Sequence, residues 1–242
     1  GLAMTPLDGR FALFDSDDGG ALLFSGYRRT IDFPGPISGG EDVDLAFVFA
    51  ALESAAEQGE WVALAVDYGL GACFEAAMAF AHGDLPRLRA WVFGQARQLD
   101  AAALADFLAA RLSLIPEHAR VAGVAEIEPA LEEADYCARV EQVRRWIAEG
   151  DCYQINLTFP LDFKVFGDPL ALYARLRERQ PVRYGAFIQT DDGALLSFSP
   201  ELFFERSGSR VVTRPMKGTA PRASGPAQDA LQRATLLASE KE

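Results

Sequence analysis

The sequence predicts an α+β fold, with antiparallel β-sheets (sandwich-like) flanked by helices. Three observations predict it. Strand-length apolar segments are joined by tight turn signals at Asp17-Asp18-Gly19-Gly20, Asp191-Asp192-Gly193 and Ser207-Gly208-Ser209, the usual connection between antiparallel neighbours. Helical periodicity falls in separate blocks rather than after every strand, which distinguishes α+β from a parallel α/β sheet. Half of the 242 residues are hydrophobic and 11% are aromatic, enough for a sizeable core and against disorder.

In chain order, residues 11–16 and 21–27 read as two strands closed by the Asp-Asp-Gly-Gly turn. Residues 32–44 carry two prolines and three glycines and read as a loop. A helix follows over residues 45–56, where Phe47 or Val48, Ala51, Leu52 and Ala55 form one stripe. Residues 61–67 are a continuous apolar run, predicting a strand buried on both faces. Tyr68-Gly69-Leu70-Gly71 turns the chain; the full glycine fingerprint of a dinucleotide site does not follow it. Residues 88–94 form another strand, and Asp100 caps a helix through Leu112 with Leu104, Phe107 and Leu108 on its apolar face. A strand at residues 121–128 completes the first of two expected domains, 1–128 and 129–242.

The second begins with a strong helix over residues 133–149. Tyr136, Val140, Val143 and Ile147 share a face, acids fill the first turn, and Gly150 suits the stop. Residues 152–159 read as a strand carrying Tyr153, Gln154 and Asn156, followed by a strand at 161–166. Asp168-Pro169 is an N-cap with proline in the first turn, opening a helix to Arg179. Strands at 184–190, 194–199, 202–206 and 210–214 form a meander, and a last helix starts at residues 224–226.

The formal net charge of −12 argues against nucleic acid or an anionic membrane as partner. An anionic substrate would need a local basic pocket. Cys73, Cys137 and Cys152 lack metal-site spacing and read as reduced thiols of a cytoplasmic protein. No apolar run is long enough to span a bilayer as a helix. His82 and His118 are the only histidines and stand beside turn-like residues, so a histidine-based triad is not supported.

The chemistry concentrates between Leu196 and Arg222. Glu201 precedes one strand of the last hairpin and Lys217 follows the other, so antiparallel pairing brings their positions to the same end. A solvated surface hairpin fits the same pattern. Two features favour a site: a polar, turn-rich loop after a strongly apolar sheet, and a cationic cluster of Arg214, Lys217 and Arg222 in an acidic chain. Gln154 and Asn156 either line a pocket or lie on a solvated face.

The segment SPELFFERSG…VVTRPMKGTAPR, with GDCYQINLT upstream, resembles the chorismate-utilising enzymes, and among them component I of aminodeoxychorismate synthase. FALFDS and WVALAVDYGLGACFE are similar more loosely. Lysine at 217 with glutamine at 154 is the pattern of that group. Anthranilate synthases carry a small residue at the first position, and salicylate and isochorismate synthases a lysine at the second. The resemblance implies that Lys217 is a covalent nucleophile and Glu201 the acid. Gly218 and Thr219 would contact a substrate carboxylate, and Gln154 would line the pocket. It also implies a glutamine amidotransferase subunit as ammonia donor, and Mg2+ held by glutamates expected beyond Glu242, in a C-terminal part that this chain lacks. On that expectation the chain by itself is an inactive piece. Arg183 stands where related enzymes place a proline in the wall of a tryptophan pocket, a departure from the pattern. Two alternatives stay open: an anthranilate synthase component I, and a non-catalytic module that binds an amino acid or a subunit.

Overall fold

The computed structural model describes residues 9–35, 44–75, 78, 87–216, 223 and 225–238. The chain starts with a hairpin, β1 (Ala12–Asp15) and β2 (Ala21–Phe33). Its turn is closed by Ser16 N–H to the Gly20 carbonyl at 3.0 Å and by Gly20 N–H to Asp18 Oδ1 at 3.0 Å. Helix α1 (Leu45–Glu57) starts at Asp44, whose side chain accepts the Ala46 N–H at 2.9 Å. Strand β3 (Trp61–Val66), a 3-10 turn at Tyr68–Cys73 and strand β4 (Leu88–Leu99) follow. Then come α2 (Ala101–Ser113), α3 (Glu117–Arg120), β5 (Gly123–Pro129), α4 (Glu133–Glu149), β6 (Leu161–Phe166) and α5 (Pro169–Arg179). Four strands, β7 (Tyr184–Thr190), β8 (Gly193–Ser199), β9 (Leu202–Ser207) and β10 (Arg210–Arg214), lead to α6 (Pro226–Leu237).

The class is α+β, as the turn signals predict. One six-stranded sheet has the order β3-β4-β2-β1-β7-β8, and β9–β10 and β5–β6 are separate two-stranded sheets. The pairs β1–β2, β1–β7, β2–β4, β3–β4, β5–β6 and β9–β10 are all antiparallel. By packing the chain falls into two units. One comprises Gly1–Ala101, Pro181–Gln189 and Leu195–Glu242, and the other Ala102–Gln180 and Thr190–Ala194. Both are discontinuous in sequence, a different kind of division from a single boundary at residue 128.

In the first unit the β2–β4 ribbon is the spine, in register from Ala21↔Leu99 to Phe33↔Leu88 with an irregularity between Tyr27 and Arg29. One cluster packs Ala12, Phe24, Ala63, Trp91, Phe93 and Ile188; another packs Phe33, Leu88 and Ala90 with Val48 of α1 and Leu70. At about 25 cal/mol per Å2, burial of such side chains is the dominant stabilising contribution. In the second unit α5 is capped by Asp168, which accepts the Leu170 N–H at 2.8 Å, and buries Leu170, Ala171, Leu172 and Tyr173. Helix α4 stops at Gly150, whose φ of 85° is a conformation favouring glycine.

The structure corrects four sequence expectations. Strand β2 extends to Phe33, because Arg29–Phe33 find partners on β4 before the prolines intervene. Strand β3 lies at the edge of the six-stranded sheet rather than buried on both faces, and Trp61, Leu64 and Val66 are exposed. Apolar composition alone does not distinguish an edge from a centre. Residues 152–159 are not a strand: no described strand pairs with them, and the segment has no regular structure. The last four strands are not one meander, since β8 ends the six-stranded sheet and β9–β10 forms its own.

Candidate active site

The site is built on the joint where the chain leaves β8 and enters the β9–β10 hairpin. Gly208, with φ of 59°, turns that hairpin. The ladder runs from Arg210↔Ser207 to Arg214↔Leu202, with a register shift between Val212 and Arg214. Residue 201 therefore stands just outside the last pair on one strand, and residues 215 and 216 on the other. The Met216 N–H donates to Glu201 Oε1 at 3.1 Å. The Ser199 hydroxyl accepts the Glu201 N–H at 3.2 Å and donates to the Glu201 carbonyl at 3.1 Å. A cleft of about 370 Å3 opens here, lined by Ser199, Glu201, Leu202, Phe203, Thr213 and Pro215.

Chemically this is an acid with two hydroxyl groups beside it and an aromatic ring, Phe203, that is 85% exposed. Ser199 ends β8, Phe203 lies in β9, and Glu201 stands in the bend between the two strands. Sequence reasoning singled out Glu201 but not Ser199, Thr213 or Phe203. The signal available for Ser199 was its place two residues before the acid, with a proline between, a pattern that favours a hydroxyl-closed turn. Of the cationic cluster, Arg214 lies 3.5 Å from Asp17 in the β1–β2 turn, and Arg183 lies 4.0 Å from the same carboxylate. The acidic turn thus draws Arg214 into an ion pair.

Lys217, Gly218, Thr219 and Arg222 lie outside the described residues. Gln154 belongs to the second unit, where it is exposed and its Nε2 lies 3.4 Å from Asn156 Oδ1. Among the described residues no three His, Cys, Asp or Glu side chains gather as a metal site. No described helix is long and apolar enough to cross a membrane.

Comparison with known proteins adds the following. The family model described as chorismate binding enzyme matches residues 45–242. An aminodeoxychorismate synthase of Streptomyces pristinaespiralis is 32% identical over 232 residues, covering 92% of this chain and 29% of the relative. Aminodeoxychorismate synthase component 1 of Klebsiella aerogenes is 37% identical over 112 residues, covering 46% of this chain and 25% of the relative. Anthranilate synthase component 1 of Thermus thermophilus is 33% identical over 123 residues, covering 51% and 27%. The chain thus spans only 25 to 29% of the length of these curated relatives. Among solved structures, a Bacillus anthracis protein described as a 2,3-dihydroxybenzoate-specific isochorismate synthase superposes with a TM-score of 0.59 at 24% identity. That match covers 96% of this chain and 56% of the other and speaks to the fold.

Proposed function

This chain belongs to the chorismate binding enzyme family, and from that premise we propose that it is part of a component I of aminodeoxychorismate synthase. The reaction is chorismate plus ammonia to 4-amino-4-deoxychorismate and water, in a cytoplasmic route to p-aminobenzoate and folate. Ammonia comes from glutamine through an amidotransferase partner. The observation that carries the reading is the seating of the Glu201 carboxylate on the Met216 amide, one residue short of Lys217 in sequence. An acid anchored there lies beside the backbone that precedes Lys217 in sequence.

A free lysine amine has a pKa of about 10.4 and is almost wholly protonated at neutral pH. It attacks only once its environment disfavours the charge, as burial or a neighbouring cation does. In the proposed sequence the Lys217 amine bonds to ring C2 while the C4–O bond breaks, and Glu201 delivers the proton that releases water. Ammonia then bonds to C4 and the C2–N bond breaks, returning the lysine amine. The new ammonium gives its proton to the Glu201 carboxylate, which restores the acid. Gly218 and Thr219 are read as the contacts to a substrate carboxylate.

The test is a product assay on the full-length protein with chorismate and an ammonium salt. The expected product is 4-amino-4-deoxychorismate, and Lys217→Ala lowers turnover by about 100-fold or more. Anthranilate as product assigns the chain to the other enzyme group among its relatives. Turnover indifferent to Lys217→Ala removes covalent lysine catalysis.

A further inference from the structure

We propose that Ser199 is a positioning residue that sets the Glu201 carboxylate by holding both main-chain groups of Glu201 with one hydroxyl. The inference rests on the reading of Glu201 as the acid, but its geometry is independent of that chemistry. The joint between β8 and β9 needs such a device. Strand β8 belongs to the six-stranded sheet and β9 to a two-stranded one, so neither ladder fixes the residues between them. Pro200 has no N–H to offer and a restricted φ. The Ser199 hydroxyl fills the gap, accepting from the Glu201 N–H at 3.2 Å and donating to its carbonyl at 3.1 Å. With the backbone of Glu201 tied there, its side chain reaches the chain just past β10, where Oε1 takes the Met216 N–H at 3.1 Å. Remove the hydroxyl and the joint keeps its proline but loses the two bonds that orient the residue after it. Local side-chain to backbone bonding of this kind is what Ser and Thr supply in turns.

Two readouts test it, both on the full-length protein. The first is the Met216 amide signal under 15N-methionine labelling, with Glu201→Ala marking where that signal lies when the carboxylate bond is absent. In S199A the signal moves at least halfway to the E201A position, and in S199T it stays near its wild-type place. The second is steady-state turnover of chorismate. Displacement of a catalytic group by even 1 Å is costly, so S199A lowers kcat roughly tenfold with KM for chorismate within about twofold, and S199T rescues it. Should S199A fail to fold, S199C takes its place, being close in shape with a weak donor and acceptor. An S199A signal at the wild-type position overturns the inference, as does S199T behaving like S199A. If the signal moves as expected but the wild-type protein consumes no chorismate, the functional reading fails while the hold of Ser199 on Glu201 stands.

Discussion

At the scale of single residues, two substitutions separate chemistry from architecture. Glu201 is exposed and lines an open cleft. Glu201→Gln keeps the shape and an acceptor for the Met216 N–H but removes the exchangeable proton. The expected result is a fall in turnover of about 100-fold to 10,000-fold, the usual worth of a positioned acid, with the thermal midpoint little changed. Gly20 is the opposite case. A Cβ built there lies 2.1 Å from the Leu99 carbonyl oxygen and 3.1 Å from Asp100 Cα, both backbone atoms that no rotamer can move aside. Gly20→Ala must therefore separate the β1–β2 turn from the end of β4. The expected destabilisation is roughly 1–3 kcal/mol, as for overpacking in a close-packed region, read as a lowered denaturant midpoint.

At the scale of elements, charge holds the edge of the large sheet. Glu60, just before β3, takes two hydrogen bonds from Arg29 of β2, Nη2 to Oε2 at 2.7 Å and Nη1 to Oε1 at 3.1 Å, with Arg28 3.4 Å away. The Arg29 hydrogen bonds hold the Glu60 carboxyl below its usual range, against the opposing effect of burial. A carboxyl whose pKa is lowered by folding stabilises the protein above its unfolded value, about 4.3 for glutamate. That contribution is lost as pH falls through the folded value. Glu60→Gln therefore melts below wild type at pH 7, and the gap closes as pH drops below about 4. Thermal melts of both proteins across pH 3 to 7 check this. A gap that widens in acid contradicts it. Much of this level was legible in the sequence. Capping and periodicity mark α4 and α5 almost to the residue, and the turn signals mark the β1–β2 and β9–β10 hairpins, because local chemistry decides them. What was not legible depends on neighbours far along the chain. That Arg28–Phe33 continue β2 follows from β4 lying alongside, and residues 152–159 form no strand because no described strand pairs with them. That residue 201 stands beside the residues following β10 could be read from hairpin logic. Ser199 left a weaker signal, its place two residues before Glu201 with a proline between, which many plain turns share.

At the scale of the whole molecule, stability is unevenly distributed, and the candidate site falls on the weaker part. The six-stranded sheet carries residues with almost no exposure on its inner strands, such as Ala12, Leu13, Leu88, Ala90, Val92 and Phe93. The two-stranded sheets do not. Phe203, Phe204 and Val211 on β9–β10 are 85, 57 and 60% exposed, and Leu161, Phe163, Val165 and Phe166 on β6 are 47 to 50% exposed. An isolated two-stranded ribbon is marginal in water, since it cannot bury an apolar face without a third layer. Amides whose protection depends on such ribbons open locally long before the global core does. Hydrogen exchange on this 242-residue chain is therefore expected to split. Amides of the β2–β4 ribbon should exchange at least roughly 100-fold more slowly than those of β9–β10 and β5–β6, a difference of about 2.7 kcal/mol in opening free energy. Peptide-level mass spectrometry resolves the three groups. Equal protection in all three contradicts the uneven distribution, because it requires the exposed faces of both ribbons to be covered in solution. If the split holds, any added segment or subunit that covers the β9–β10 face slows exchange there first, while the β2–β4 ribbon, already protected by its own core, hardly responds.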